Sequence, residues 1–118
     1  MVHLLFVYGS LRSEFDNVHA RRLRAESEFV GPAAAPGSIF LIDPYPGYRR
    51  TPEGTVCGEV YRLTDPAATL AHLDEYEGAE YRRVSIQLST PTLEAWVYEY
   101  TAELPAGSRI ASGDFTRR

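Results

Sequence analysis

The sequence of 118 residues contains twelve arginines and no lysine. Enzymes that form a Schiff base with their substrate need a reactive amine, which lysine usually supplies, and P-loop nucleotide-binding proteins need the lysine of their motif. The absence of lysine therefore excludes Schiff-base catalysis by a lysine and a P-loop phosphate site.

Cysteine is almost absent as well, with Cys57 as its single example. One cysteine excludes an intramolecular disulfide and is typical of proteins from a reducing compartment. No apolar run approaches the roughly 20 residues that a membrane-spanning helix needs. The apolar run at the start of the sequence lacks the basic region of a signal peptide. These features predict a cytoplasmic protein with no membrane partner.

Basic charge is also scarce, since the net charge is −4 at pH 7. A protein without a basic surface is not expected to bind nucleic acid or an anionic membrane. The three histidines and Cys57 lack the spacing of a zinc site, so no metal centre is predicted. Length and composition favour one compact domain over residues 1–118. No feature of the sequence indicates an oligomeric state.

The apolar periodicity predicts an α+β domain. The first strand, Val2 to Tyr8, is apolar on both faces, as expected of a central strand. A short helix capped by Asp16 or Asn17 is predicted to run through Arg24. A second helix begins after the N-cap and proline of Asp65-Pro66 and runs toward Tyr76. The other predicted strands are Ser38–Ile42, Val56–Leu63, Arg82–Leu88 and Leu93–Tyr100.

This order of elements does not repeat a βαβ unit, so a curved or closed small sheet is expected. The Ala/Pro/Gly-rich stretch from Gly31 to Gly37 is interpreted as a surface loop. In the last predicted strand, alternation separates two faces. One face carries Trp96, Tyr98 and Tyr100, and the other carries Ala95 and Val97.

The second helix ends in the acidic motif Leu73-Asp74-Glu75-Tyr76-Glu77-Gly78. At 100° per residue, Glu77 lies within about 20° of Leu70 and about 40° of Leu73, whereas Glu75 points to solvent. A carboxyl on a buried helix face has a raised pKa, which suits general acid–base catalysis. The pattern alone leaves a second interpretation open, in which the helix frays and Glu77 pairs with Arg82 or Arg83 at the surface.

The turn Tyr8-Gly9-Ser10-Leu11 follows the first strand directly. Gly9 permits a backbone conformation that a β-carbon would hinder, so N–H groups of this turn could converge on a carboxylate or an oxyanion. A plain connecting turn without a ligand is the alternative. Ser10 lacks the surroundings of a hydrolase nucleophile, so it is interpreted as a hydrogen-bond donor.

Taken in order, these motifs make the chain resemble the gamma-glutamylcyclotransferase-like family. The resemblance begins with Phe6 to Arg12, which is similar to the V-Y-G-[ST]-L opening of that family. It continues through Tyr45-Pro46-Gly47, Val56 to Tyr61 (V-x-G-E-[VL]-Y), Leu73 to Gly78 (L-D-x-[FY]-E) and Tyr81-Arg82-Arg83 (Y-x-R). The region from Asn17 to Pro36 departs most from the pattern.

The resemblance implies a small mixed β-barrel flanked by short helices, with the turn and Glu77 facing one cavity. It implies an enzyme that cyclises a gamma-glutamyl amine or peptide to 5-oxoproline and releases the amine, with Glu77 as general acid and base. This reaction needs no metal or organic cofactor. The substrate-binding residues expected from the motifs are Tyr8, Gly9, Ser10, Leu11, Tyr45, Arg83 and Tyr98.

Other residues carry weaker expectations. Glu59 is expected to pair with an arginine rather than take part in catalysis. Tyr100 is a further candidate for the cavity wall, and Phe15 and Tyr48 for its rim, although strand aromatics more often belong to the core. Two other functions remain open. One is a non-catalytic module that binds a small ligand in the same cavity, and the other is a hydrolase that uses Ser10.

Overall fold

The computed structural model describes residues 2–42 and 44–117. These residues form two helices and seven strands. The helices are α1 (Val18–Ala25) and α2 (Pro66–Glu77). The strands are β1 (Leu4–Val7), β2 (Ser27–Pro36), β3 (Ser38–Leu41), β4 (Pro46–Arg49), β5 (Thr55–Leu63), β6 (Tyr81–Gln87) and β7 (Glu94–Tyr100). A short 3-10 turn follows at Phe115–Arg117.

All seven strands belong to one mixed sheet in the order β2-β5-β1-β7-β4-β3, and β6 pairs with β7 beside this path. β1 runs parallel to β7 and antiparallel to β5. Ala34 of β2 also bridges to Thr90 beyond β6, which draws the far edge inward. The sheet therefore curls into a half-barrel with two helices, which confirms the predicted α+β fold.

The curled sheet has a hydrophobic cluster on each face. Phe6 of β1 and Tyr8, which directly follows it, belong to one cluster, together with Ala95 and Val97 of β7. Leu5 and Val7 point to the other, where α1, α2 and Tyr98 also pack. Because both faces of β1 are covered, every residue of this strand can be apolar. The alternation predicted for the last strand is confirmed.

Two strands differ from the sequence prediction. The stretch interpreted as a surface loop is part of β2, which pairs with β5 from Ser27 to Pro36. Its prolines are tolerated because β2 lies at the edge of the sheet, where a proline can turn its missing N–H away from the neighbouring strand without removing an inter-strand hydrogen bond. The register shifts between Phe29 and Gly31, as in a β-bulge. The second missed strand is β4, which begins at Pro46.

The caps of both helices follow the sequence signals. The Asn17 side chain accepts a hydrogen bond from the N–H of Ala20 at 2.8 Å. Asp65 accepts one from the N–H of Ala68, and Pro66 follows at the first helical position. Gly78 ends α2 with a φ of +82°, in the region that favours glycine. Among the described residues, neither helix is long and apolar enough to cross a membrane.

The segment after β7 returns to the sheet and covers the loop that follows β1. The N–H of Cys57 donates to the carbonyl of Gly113 at 2.8 Å. Ile110 and Phe115 are buried in the first hydrophobic cluster. The Arg12 guanidinium contacts the Asp114 carboxylate at 2.8 Å, with both side chains nearly buried. This return segment therefore joins the sheet to the loop between β1 and α1.

Candidate active site

A cavity of about 290 Å³ lies where the end of β1, the loop that follows it and the C-terminal end of α2 meet. Aromatic and apolar side chains form most of its wall. Within residues 2–42 and 44–117, Glu77 is the only charged residue that lines it. The full lining is Phe6, Val7, Tyr8, Gly9, Ser10, Leu11, Tyr45, Pro46, Tyr76, Glu77, Tyr81 and Tyr98.

Glu77 occupies the position that the helical angle predicts. α2 continues through Glu77, and its Leu70 and Leu73 are buried against the sheet. Glu75 is exposed on the other side of the helix. The alternative in which Glu77 pairs with Arg82 or Arg83 is wrong. Arg82 contacts Glu99, and Arg83 contacts Asp74.

The environment of Glu77 alters its acidity. Burial raises the pKa of its carboxyl to about 7 from the ordinary value of 4.5. No hydrogen bond or ion pair joins it to another residue within 2–42 and 44–117. An unpaired carboxyl with this pKa can take up and release a proton near neutral pH.

The loop after β1 contributes Gly9, Ser10 and Leu11 to the lining of the same cavity. Its carbonyl groups are used within the loop: the Gly9 carbonyl accepts from the N–H of Arg12, and the Ser10 carbonyl accepts from the Asn17 side chain. The N–H groups of residues 9, 10 and 11 make no hydrogen bond to any other residue that the structure describes. They are therefore free to bind an anionic group of a ligand.

Gly9 is required by space rather than by backbone conformation. It does not belong to the glycines with positive φ. A β-carbon at Gly9 would lie 2.8 Å from Cγ of Pro46, which is closer than real β-carbons approach a neighbour. The sequence-based reason for this glycine is thus corrected. Its role is to let the Pro46 ring close one side of the cavity.

Glu59 secures the same loop, although the sequence predicted that it pairs with an arginine. Its carboxylate is buried and accepts two hydrogen bonds from Ser13, one from the backbone N–H at 2.6 Å and one from the hydroxyl at 2.7 Å. The prediction failed because the partner is a loop residue 46 positions away, which no local pattern reveals.

Several hydroxyl groups of the wall serve the fold. The Tyr8 hydroxyl donates to the Tyr98 carbonyl at 2.7 Å and accepts from the N–H of Tyr48 at 3.1 Å. The Tyr81 hydroxyl donates to the Pro46 carbonyl at 3.1 Å. Burial is the main cause that raises the pKa of both tyrosines, and the nearby Glu77 charge adds to it. Their hydroxyl groups therefore stay neutral and hold the wall in place.

Six of the seven predicted binding residues line this cavity; the exception is Arg83. Arg83 lies outside, with its guanidinium 4.5 Å from the centre of the Trp96 ring. Tyr100, Phe15 and Tyr48 also lie away from the lining. The sequence reasoning missed Phe6, Val7, Pro46, Tyr76 and Tyr81 as lining residues. Tyr81 had a usable signal, since it opens the Y-x-R motif.

Metal binding has no structural support in the described part of the chain. No group of three or more His, Cys, Asp or Glu side chains there could hold a metal ion. The His19 and His72 rings do contact each other. The other group beside His19 is the Tyr76 ring, and the other group beside His72 is the Arg22 guanidinium, rather than a third His, Cys, Asp or Glu.

Comparisons with known proteins agree with this geometry. The sequence model of the family described as gamma-glutamyl cyclotransferase, AIG2-like, matches residues 5–117. This chain belongs to that family. It is 38% identical over 118 residues to the gamma-glutamylcyclotransferase family protein YtfP of Escherichia coli K12, covering 97% of this chain and 96% of YtfP.

Solved structures of relatives share the fold. The solution NMR structure of Escherichia coli ytfP matches with a TM-score of 0.71 at 36% identity, over 94% of each chain. An AIG2-like protein from Mus musculus matches with a TM-score of 0.72 at 20% identity, over 87% of this chain and 80% of its own. At that identity, the mouse protein supports the fold alone.

Proposed function

We propose that this member of the gamma-glutamyl cyclotransferase, AIG2-like family cyclises a gamma-glutamyl amine or gamma-glutamyl peptide to 5-oxoproline and releases the amine. The observation that carries the proposal is that the Glu77 carboxyl, with no partner among the described residues, lines the same cavity as residues 9–11, whose N–H groups bond to no described residue. A base and a set of oxyanion donors in one cavity suit attack on a carbonyl carbon.

In the proposed reaction, the substrate supplies its own nucleophile. Glu77 takes a proton from the α-ammonium group, and the freed amine attacks the γ-carbonyl carbon to form the new C–N bond. The tetrahedral intermediate then collapses as the bond to the leaving nitrogen breaks. Glu77 gives its proton to that nitrogen, takes the second surplus proton from the ring nitrogen, and passes it to the released amine, which departs as an ammonium ion. A cavity that holds the glutamyl chain folded supplies the proximity that this ring closure needs.

The N–H groups of Gly9, Ser10 and Leu11 are proposed to bind the substrate carboxylate or the developing oxyanion. Tyr8, Tyr45 and Tyr98 are proposed to contact the substrate through their rings, since all three line the cavity. Tyr45 is 54% exposed and lies at the mouth, so it is placed to touch the leaving amine. A small gamma-glutamyl compound is the expected partner, and a cytoplasmic location fits the free thiol of Cys57.

The test measures 5-oxoproline release from gamma-glutamyl amines, gamma-glutamyl peptides and gamma-glutamyl-lysine isopeptides. Glu77→Gln keeps the shape of the side chain and removes the base, so we expect a loss of about 10²- to 10⁴-fold in kcat. Glu75→Gln is the matched control, because Glu75 is exposed on the same helix. Near-wild-type turnover by Glu77→Gln, or equal losses from both variants, contradicts the proposal.

The same assay separates the two alternatives. A non-catalytic module would bind members of the panel and form no product. A hydrolase based on Ser10 gains no support from the geometry, since no histidine contacts Ser10 within the described residues and its side chain interacts with Tyr76. Loss of all activity in Ser10→Ala, together with labelling of Ser10 by a phosphonate, would favour the hydrolase.

A further inference from the structure

Asp74 lies in the same acidic motif as Glu77 but faces different neighbours. Its carboxylate accepts a hydrogen bond from the Tyr98 hydroxyl at 2.7 Å. It accepts two more from Arg83, at 3.0 and 3.2 Å. Asp74 does not line the cavity that Glu77 lines. Two carboxylates three residues apart thus differ sharply: Asp74 accepts from three donors, whereas Glu77 accepts from none in the described part of the chain.

Tyr98 connects Asp74 to the cavity. Tyr98 is 5% exposed, and it forms part of the cavity wall. Its backbone carbonyl accepts from the Tyr8 hydroxyl, while its own hydroxyl reaches Asp74. The residue is therefore held at both ends, and its hydroxyl is engaged outside the cavity.

Arg83 fixes Asp74 in turn. The guanidinium lies over the Trp96 ring and makes a two-point contact with the carboxylate. Trp96 and Tyr98 are on β7, Arg83 is on β6, and Asp74 is on α2. This contact ties the end of the helix that carries Glu77 to the two strands behind it.

We propose that Asp74 is a positioning residue for the reaction, which keeps the Tyr98 hydroxyl engaged and so leaves the Glu77 carboxyl without a hydrogen-bond donor. This inference rests on the proposed function for its effect on rate. Without Asp74, the Tyr98 hydroxyl keeps only a long contact with the Leu70 carbonyl at 3.5 Å, and Glu77 is the only charged group in the lining among residues 2–42 and 44–117. A donor to the carboxylate favours its charged form and weakens it as a base.

The groups that face Glu77 make this effect measurable. Among the described residues they are all tyrosines: Tyr8 directly after β1, Tyr76 on α2, Tyr81 on β6 and Tyr98 on β7. None of them titrates near neutral pH, since burial raises the pKa of each. A change in the titration of Glu77 near pH 7 can therefore be read without interference from these neighbours.

The experiment titrates the Glu77 carboxyl by NMR of protein with ¹³C-labelled glutamate, and follows kcat/KM against pH in parallel. Asp74→Ala releases the Tyr98 hydroxyl. We expect it to lower the pKa of Glu77 by at least half a unit and to lower the plateau value of kcat/KM about 2- to 3-fold for each half unit. Asp74→Asn keeps an acceptor for Tyr98, so its Glu77 should titrate as in the wild type.

The double variant Asp74→Ala/Tyr98→Phe decides between positioning and mere structural support. It has no free hydroxyl, so the pKa of Glu77 should return toward the wild-type value. A purely structural role predicts no shift in Asp74→Ala, or the same shift in the single and double variants. Glu75→Ala is the control and should leave the titration unchanged.

The two proposals can fail separately. If the wild-type protein releases no 5-oxoproline from any substrate, the proposed function fails, while the NMR titration still tests Asp74. If the wild type is active and Asp74→Ala changes neither the Glu77 titration nor the pH profile, the inference about Asp74 is wrong and the function stands. Thermal unfolding of each variant identifies any loss of rate that comes from unfolding.

Discussion

The carboxylate of Glu59 accepts hydrogen bonds from both the backbone N–H and the hydroxyl of Ser13, at 2.6 and 2.7 Å. Glu59 is on β5, the strand that pairs with β1, and Ser13 lies two residues beyond Leu11. The sheet therefore fixes the loop whose residues 9–11 line the cavity. The precision of the proposed anion site depends on this contact.

Glu59→Gln should weaken that contact while preserving its shape. An amide can turn only one oxygen toward Ser13 and presents an N–H₂ group to the other donor. We expect a loss of about 1–3 kcal/mol in the free energy of unfolding. KM should rise more than kcat falls, because the loop is proposed to hold the substrate. Urea unfolding and steady-state kinetics measure these effects, with the exposed Glu94→Gln as control. Unchanged unfolding would contradict the prediction.

Glu77→Gln should stabilise the protein at alkaline pH. The folded pKa of about 7 lies above the ordinary 4.5, so between these values the folded state binds more protons than the unfolded state. Stability therefore falls as pH rises from about 4.5 to 7. The glutamine variant avoids this cost and should gain about 1–3 kcal/mol at pH 8 and almost nothing at pH 4. Equal urea midpoints for both proteins at pH 8 would show that Glu77 is not desolvated.

The pH dependence of catalysis should report the same carboxyl. If Glu77 acts as a base, kcat/KM rises with pH as the carboxyl ionises and levels off above about 7. Initial rates from about pH 3.5 to 8.5 measure this profile. The exposed Glu75→Gln variant should follow it closely. A rise centred near 4.5 would indicate that the active base is an ordinary solvated carboxyl.

Gly9→Ala should displace the loop against Pro46. The added methyl group would lie 2.8 Å from Cγ of Pro46, without conflict from the backbone φ. Overpacking of this kind costs about 1–3 kcal/mol. Turnover should also fall, because residue 9 offers one of the free N–H groups. Combining Gly9→Ala with Pro46→Ala should recover part of both losses. Simple addition of the two single effects would mean that the contact with Pro46 is not the cause.

The His19–His72 pair should make the protein less stable in acid. Arg22 has only donors, so His72 Nδ1 accepts from it at 3.0 Å, which leaves Nε2–H to donate to His19 Nδ1 at 3.4 Å. Burial lowers the pKa of His19, and the neighbouring His72 and Arg22 lower it further. The folded state therefore binds fewer protons than the unfolded state as pH falls below 6.5.

The titration of Glu77 changes stability with pH in the opposite direction to that of His19. The test is therefore made in the Glu77→Gln variant, which lacks the Glu77 titration. There, the melting temperature should fall between pH 7.5 and 5.5, and His19→Gln should reduce that fall. His19 stacks on Tyr76 with ring centres 3.8 Å apart, so the same protonation loosens one wall of the cavity. A melting temperature that depends on pH equally in both proteins would contradict the prediction.

The parts of the fold that could be predicted from sequence are those with local causes. Asp65-Pro66 and Gly78 mark the ends of α2, and alternation in β7 assigns its two faces. β2 could not be predicted, because its alanines, glycine and prolines favour a loop locally. Its conformation comes from pairing with β5, which is distant in sequence.

The residues of the candidate site can likewise be divided into those with a local sequence signal and those placed by distant contacts. Helical geometry alone places Glu77 on the inner face of α2, and the turn after β1 is visible as a motif. Tyr81 and Pro46 were missed because their contact joins residues 35 positions apart. Arg83 was predicted wrongly for a related reason. Its side chain contacts both Asp74 and Trp96 outside the cavity, and neither residue is adjacent to it in sequence.

The ion pair between Arg12 and Asp114 joins residues 102 positions apart. A ribosome makes the loop that carries Arg12 early and the segment that carries Asp114 late. Contacts of such sequence separation form slowly, since the chain between them must first be ordered. A nascent chain that stops short of Asp114 already contains Glu77 and the residues of the Glu59–Ser13 contact, but it lacks this second tie on the loop after β1. Full fixation of that loop is thus coupled to synthesis of the segment that carries Asp114.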